Sequence, residues 1–253
     1  MFGICNLAIV PVRSEASDRS EIVTQLLFGE HIEILERKNQ WARIRIQFDD
    51  YEGWVDSKQY QEITKEQFNQ LSKEAIILNA DLIDYITAPD NLLLPIPLGA
   101  SLSFLNNSEI NTSNFDFEGT KTSGIKPKST IINTAFMYLN APYLWGGKTP
   151  FGIDCSGFTQ MVYKLNGYKI HRDASQQARD GEPLSFIEES EPGDLAFFDN
   201  EEGNIIHVGI IMENNYIIHA SGKVRIDRLD HLGIYNPELN KHTHNLRVIK
   251  KII

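Results

Sequence analysis

From Ile9 to about Glu62 the chain runs in short alternating stretches broken by turn residues. Ile22 to Phe28 stops at Gly29-Glu30, His31 to Glu36 alternates apolar and polar, Trp41 to Ile46 follows, and Asp49-Asp50-Tyr51-Glu52 leads into Gly53-Trp54-Val55. Strands of about five residues separated by turns predict a small β-barrel or sandwich. Thr64 to Ser72 reads as one or two helical turns, and Ile76 to about Gly124 returns to short apolar runs cut by Pro89, Pro95, Pro97 and Gly99. A second, degenerate barrel fits there, with the Asn-, Ser-, Thr- and Gly-rich stretch from Asn106 to Gly124 as loop or linker.

Lys126-Pro127-Lys128-Ser129 marks a boundary, with Ser129 as N-cap of a helix whose apolar face is Ile132, Ala135, Phe136 and Leu139. Farther on, Phe158, Met161, Val162 and Leu165 fall at the i, i+3, i+4, i+7 spacing of a buried helical stripe, which places Cys155 at the helix N-terminus. Unpaired amides and the helix dipole there favour a thiolate, and the same N–H groups can donate to a developing oxyanion. Asp154 is positioned to cap that helix. The plain alternative is a small, buried, apolar cysteine. Ser156 and Gly157 favour the chemical reading, since small residues suit a turn that a substrate backbone must approach closely.

A thiol nucleophile needs a base. Ile205 to Met212 is a strand signal with His207 as its titratable group, and a turn at Glu213-Asn214-Asn215 returns the chain through Tyr216-Ile217-Ile218-His219-Ala220-Ser221. A three-residue loop pairs position 209 with 219 and 207 with 221, so His207 and His219 are diagonal neighbours on one face. Cys155, His207 and His219 then fit nucleophile, base and orienting group. Zinc is the other use for one Cys and two His, but it calls for a fourth ligand or an open water and tighter local spacing. His231 and His242-Thr243-His244 lie in a polar, Asn-rich stretch that reads as a solvated turn, not a metal cluster.

The 253 residues carry a formal charge of −10 and a pI near 5.2, a field that repels phosphate backbones and argues against nucleic acid as partner. Cys5 and Cys155 are too few for a disulfide framework and read as free thiols. No stretch approaches the ~20 apolar residues of a membrane span. The first ten residues match no signal peptide well, so the expected compartment is cytoplasmic if this N-terminus is native, and periplasmic or secreted if a leader has been removed.

Taken in order, Tyr143-Leu144-Trp145-Gly146-Gly147, Asp154-Cys155-Ser156-Gly157-Phe158, Arg172-Asp173-Ala174-Ser175-Gln176-Gln177, Glu191-Pro192-Gly193-Asp194, His207-Val208-Gly209-Ile210 and Ile218-His219-Ala220 resemble the NlpC-type cysteine peptidases, which cut cell-wall peptides. The Val-Arg-Ser-Glu start, the Phe-Gly-Glu turn, Trp41 and Tyr51-Glu52-Gly53-Trp54-Val55 resemble the bacterial SH3-like domain. Together the resemblances imply an α+β chain: a bacterial SH3-like domain over 1–62, a degenerate second one with linker over 63–126, and a papain-like catalytic domain over 127–253. They imply Cys155 as nucleophile, His207 as base, His219 as third polar residue and Tyr143 as support for the oxyanion.

The order of domains resembles the γ-D-glutamyl-L-diamino acid endopeptidases, in which the first SH3-like domain closes one end of the groove and a free N-terminal L-Ala is required. That resemblance offers Tyr51 and Glu21 as wall and amine partner, with Asp154, Ser156, Arg172 and Asp173 on the catalytic side. The implied substrates are peptidoglycan-derived tripeptides or tetrapeptides, with no cofactor. Competing readings are a secreted autolysin acting on intact wall and a catalytically idle wall-binding module. Which diamino acid is preferred, and the oligomeric state, stay open.

Overall fold

A computed structural model describes residues 1–88, 90–106 and 115–253. Two compact units, Met1–Gly124 and Ile125–Ile253, make up the chain. The first opens with β1 (Phe2–Ile4), β2 (Ile9–Arg13), β3 (Ile22–Leu27), β4 (His31–Lys38), β5 (Trp41–Ile46), β6 (Glu52–Asp56) and β7 (Gln61–Ile63) in one sheet of order β3-β2-β6-β5-β4-β1-β7. Alternation puts Val10, Val12, Ile32, Ile34, Ile44, Ile46 and Val55 on one side, where they form a core with Cys5 and Tyr60. Asn39 (φ 54°) and Asp50 (φ 59°) take the left-handed conformation that turns β4 into β5 and β5 into β6. This is the SH3-like barrel expected from the sequence.

Helix α1 (Lys65–Leu71) begins at a capping box: Thr64 Oγ1 accepts the Gln67 N–H at 3.1 Å, and Gln67 Oε1 accepts the Thr64 N–H at 3.0 Å. Beyond it lies the stretch expected as a degenerate second barrel, where the isolated bridges Leu78–Ser101 and Thr87–Asp116 add to the strand pairing. Among the described residues β8 (Ile77–Asn79), β9 (Ile83–Thr87), β10 (Leu93–Pro97) and β11 (Lys121–Ser123) pair as two separate two-stranded sheets, β9 with β10 and β8 with β11. Pro95 and Pro97 leave β10 without two of the N–H groups that a further neighbour would need. These strands gather around Phe28, Leu71, Ile86, Ile96, Leu102, Phe104 and Phe117. Residues 107–114, most of the first half of the expected loop or linker, lie outside the described residues.

The second unit holds α2 (Ile131–Phe136), the short hairpin β12 (Lys148–Thr149) and β13 (Gly152–Ile153), α3 (Cys155–Leu165) and α4 (Ala174–Gln177). Strands β14 (Glu182–Leu184), β15 (Leu195–Asp199), β16 (Ile205–Met212), β17 (Tyr216–Ser221), β18 (Lys223–Asp230), β19 (Gly233–Asn236) and β20 (Lys241–Lys251) follow, in the order β14-β20-β15-β16-β17-β18-β19. Because β19 also pairs with β20, six antiparallel strands close into a barrel, with β14 added to the end of β20. One face of these strands carries the apolar cluster Ala196, Phe198, Ile211, Ile217, Leu229, Ile234 and Ile249.

Two helices differ in detail from the sequence pattern. All eleven residues of α3 are buried, polar Thr159, Gln160 and Lys164 included, so the expected stripe is part of a helix enclosed on every side. In α2 the buried residues are Ile131, Thr134 and Ala135, whereas Phe136 and Leu139 are exposed, and Ser129 sits inside a 3-10 turn. The reason is polar. Asn166, at the end of α3, donates from Nδ2 to Thr134 Oγ1 at 3.0 Å and accepts the Thr130 hydroxyl at 2.5 Å, which turns the threonine face inward.

Candidate active site

Cys155 is the first residue of α3 and is 6% exposed. Asp154 caps the helix, its Oδ1 accepting the Gly157 N–H at 2.6 Å, while its Oδ2 accepts the Gly146 N–H at 2.8 Å. Arg172, 1% exposed, grips the same carboxylate with Nη1 at 3.0 Å and Nη2 at 2.6 Å and also donates to Ser156 Oγ at 3.0 Å. Asp154, Ser156 and Arg172, expected along the substrate, therefore bind one another under the nucleophile's turn. Gln177 completes the support, donating to the carbonyls of Ser156 at 3.0 Å and His171 at 2.7 Å and accepting from Thr159 at 2.7 Å. At Gly157 a Cβ would lie 2.3 Å from the Gly147 carbonyl oxygen, so only glycine lets this turn pack against the Gly-Gly segment.

The β16–β17 hairpin has the expected register, with Gly209 opposite His219 and Met212 opposite Tyr216 across a turn in which Asn214 (φ 58°) and Asn215 (φ 59°) are left-handed. His207 Nε2 lies 2.8 Å from His219 Nδ1. Gly209 makes room for this contact, since a Cβ there would come within 2.9 Å of the His219 Cβ. The thiol of Cys155 receives the N–H of Val208, which sets it against β16 next to His207.

The sequence reading missed three neighbours of this pair. Asp227 Oδ2 lies 3.0 Å from His219 Nε2, and Arg225 donates to Asp227 Oδ2 at 2.7 Å and Oδ1 at 3.0 Å. His244 stacks on His207 with ring centroids 4.1 Å apart. The segment His242-Thr243-His244, expected to be a solvated turn, is thus the start of β20, where His242 pairs with Asp230 at 2.9 Å, whereas His231 is exposed in the turn between β18 and β19. Among the described residues no group of three or more His, Cys, Asp or Glu side chains is arranged to hold a metal ion.

Electrostatics modify the expected thiolate. Burial pushes the Cys155 thiol up to about 12, with the charge of Asp154 adding to it, and the N–H groups of Val208 and Ser156 do not outweigh this. Burial likewise holds His207 well below the usual imidazole value, assisted by His219 and His244. Burial thus favours the neutral forms of both thiol and imidazole, and the helix terminus alone does not ionise the sulfur. Tyr143 is half-buried, and its phenol is raised to about 12 by burial and then by the charges of Cys155 and Asp154, so it stays protonated as a donor. It is held beside β13, the strand that leads into α3, by a bridge to Ile153 and by its N–H on the Gly222 carbonyl at 3.0 Å.

Of the other expected residues, Asp173 is half-buried and immediately precedes α4. Tyr51 and Glu21 belong to the first unit: Tyr51 packs against the barrel core, and Glu21 is exposed at the start of β3, its carbonyl accepting the Ser14 N–H at 2.9 Å.

A thiol at the N-terminus of a buried helix, set against a barrel hairpin that carries a linked histidine pair, defines a papain-like cysteine peptidase. The family model described as NlpC/P60 family matches residues 140–244, and that of the bacterial dipeptidyl-peptidase Sh3 domain matches residues 12–59. The chain is 32% identical over 222 residues to the gamma-D-glutamyl-L-lysine dipeptidyl-peptidase of Bacillus subtilis, covering 79% of this chain and 72% of that protein. It is 28% identical over 229 residues to the protein of the same name from Bacillus cereus, covering 81% and 68%. A crystal structure of an NlpC/P60 family protein from Bacillus cereus has the same fold, with a TM-score of 0.82 at 20% identity over 100% of this chain and 99% of that one. The chain belongs to the NlpC/P60 family.

Proposed function

We propose that this protein hydrolyses the γ-D-glutamyl bond to the L-diamino acid in short peptidoglycan-derived peptides that carry a free N-terminal L-Ala. The observation that carries the chemistry is the 2.8 Å contact between His207 on β16, the strand against which Cys155 is set, and His219 on β17. Relatives at 28% and 32% identity, named gamma-D-glutamyl-L-lysine dipeptidyl-peptidases, support the choice of bond.

His207 takes the thiol proton as Cys155 Sγ bonds to the γ-carbonyl carbon, and Tyr143 and the N-terminal amides of α3 donate to the oxyanion. Collapse breaks the C–N bond, and His207 returns the proton to the leaving amine. Water, activated by the same histidine, then cleaves the thioester and frees L-Ala-γ-D-Glu. Because burial favours the neutral thiol, deprotonation belongs to the attack itself.

Tyr51 and Glu21 of the SH3-like unit are our candidates for the wall and carboxylate that read the substrate ammonium, and Asp173 for the catalytic side. Charge-assisted contacts of this kind are worth about 1.5–3 kcal/mol. The intact protein should therefore cut L-Ala-γ-D-Glu-L-Lys or its meso-diaminopimelate counterpart at least about tenfold better, in kcat/KM, than the N-acetylated tripeptide. Tyr51→Gly should recover part of the difference. Equal cleavage of free and acetylated peptides overturns the requirement for a free amine.

A further inference from the structure

His219 is 1% exposed, and both of its ring nitrogens are engaged, Nδ1 by His207 Nε2 and Nε2 by Asp227 Oδ2. Asp227 is 2% exposed and accepts two N–H groups from Arg225, which also reaches Glu238 at 3.2 Å. A guanidinium does not deprotonate, so it keeps Asp227 as a carboxylate, and a carboxylate only accepts. The proton in the 3.0 Å contact therefore belongs to His219 Nε2. Buried and neutral, His219 has no second proton, so its Nδ1 accepts, and the 2.8 Å contact places the His207 proton on Nε2. Nδ1 of His207 is then a lone pair.

The opposite arrangement fails at both ends. A proton on His219 Nδ1 would aim a bare Nε2 at the Asp227 carboxylate, and it would leave the His207 proton on Nδ1, the nitrogen needed to take one from the thiol. The groups that face His219 are His207 on β16, Arg225 and Asp227 on β18 and His244 on β20.

We infer that Asp227, clamped by Arg225, is a positioning residue that fixes the tautomers of His219 and His207 and so leaves the base with an unprotonated Nδ1 for Cys155. Protons are conserved throughout: when His207 gains the thiol proton, the two Nε2 protons stay where they are and the carboxylate stabilises the cation through His219. The inference deepens the cysteine-peptidase reading and rests on it.

The test uses the full chain labelled with 15N-histidine, with tautomers read from long-range 1H–15N correlations and kcat and KM measured on the free tripeptide. In the wild type both His207 and His219 should carry their proton on Nε2. Asp227→Ala should mix the tautomers and lower kcat at least about tenfold with KM within about twofold, since Asp227 is buried away from the surface that a peptide would reach. Asp227→Asn, whose oxygen still accepts, should keep the Nε2–H form and more of the activity than Asp227→Ala. A wild-type His219 protonated on Nδ1 overturns the inference without any variant, which holds even if the variants fail to fold. Folded Asp227→Ala with unmixed tautomers overturns it as well, whatever happens to kcat. If the wild type cuts no tripeptide, the functional proposal falls while the tautomer readout still decides this one.

Discussion

In the proposed mechanism Cys155 supplies the atom that bonds to the carbonyl carbon, and no neighbouring group can replace it. Cys155→Ala should reduce turnover to background while peptide binding, followed by calorimetry, persists; activity within tenfold of wild type would contradict the thiol mechanism. Arg172 acts on stability. Replacing it by Ala leaves the Asp154 carboxylate buried without its cation, which should cost about 3–5 kcal/mol in urea unfolding; a loss below about 1 kcal/mol would mean that the pair is solvated. At this scale the placement of the proposed trio was legible because local pattern sets each member: a helical stripe located Cys155 at the start of α3, and a loop length fixed the His207–His219 diagonal. Asp227, Arg225 and His244 were not, because β18 and β20 meet the pair only through sheet pairing and barrel closure. A signal for two of them did exist. Extending the hairpin through Gly222 sets Arg225 opposite His219 and Asp227 opposite Ile217, and the alternation of Lys223 to Asp230 would have put both on the histidine face.

Elements aim these residues by close backbone approach. Gly157→Ala would place a methyl 2.3 Å from the Gly147 oxygen, and the first turn of α3 would have to shift with Cys155 on it. We expect kcat to fall at least about tenfold, because small misplacements of a nucleophile are costly; unchanged kcat in a folded variant would show that the turn is slack. Gly157 was singled out in the sequence for closeness to substrate, whereas its contact is with the protein's own Gly147. The α2 face differs for a related reason: hydrophobicity alone favours Phe136 and Leu139, but the buried side is fixed by a hydrogen bond from Asn166 to Thr134 and one from Thr130 to Asn166. Likewise, the short apolar runs after Ile76 form the pairs β9 with β10 and β8 with β11, and the prolines of β10 leave its outer edge without two N–H groups.

On the scale of the whole molecule, the buried histidines link stability to pH. His207 and His219 are lowered by burial, and His244 falls from 6.5 to about 4. Below 6.5 the unfolded chain binds protons that the folded chain refuses, so stability is fully present above that value and is lost as pH falls toward about 4. Urea midpoints should drop between about pH 7 and pH 5, and the acid limb of kcat/KM should lie below 6.5; a flat midpoint over that range would contradict the burial of neutral imidazoles. EDTA should leave activity unchanged, because both nitrogens of His219 are already bonded to protein groups; loss with EDTA and recovery with zinc would reassign the trio as ligands. The central claim is that Cys155 forms a thioester with the γ-carboxyl of D-Glu. Acid-quenching the intact protein with L-Ala-γ-D-Glu-L-Lys during turnover and weighing it by mass spectrometry tests this directly. The account predicts one L-Ala-γ-D-Glu acyl group, mapped to Cys155 and absent from Cys155→Ala, whereas an equally active Cys155→Ala or an adduct on any other residue would contradict it.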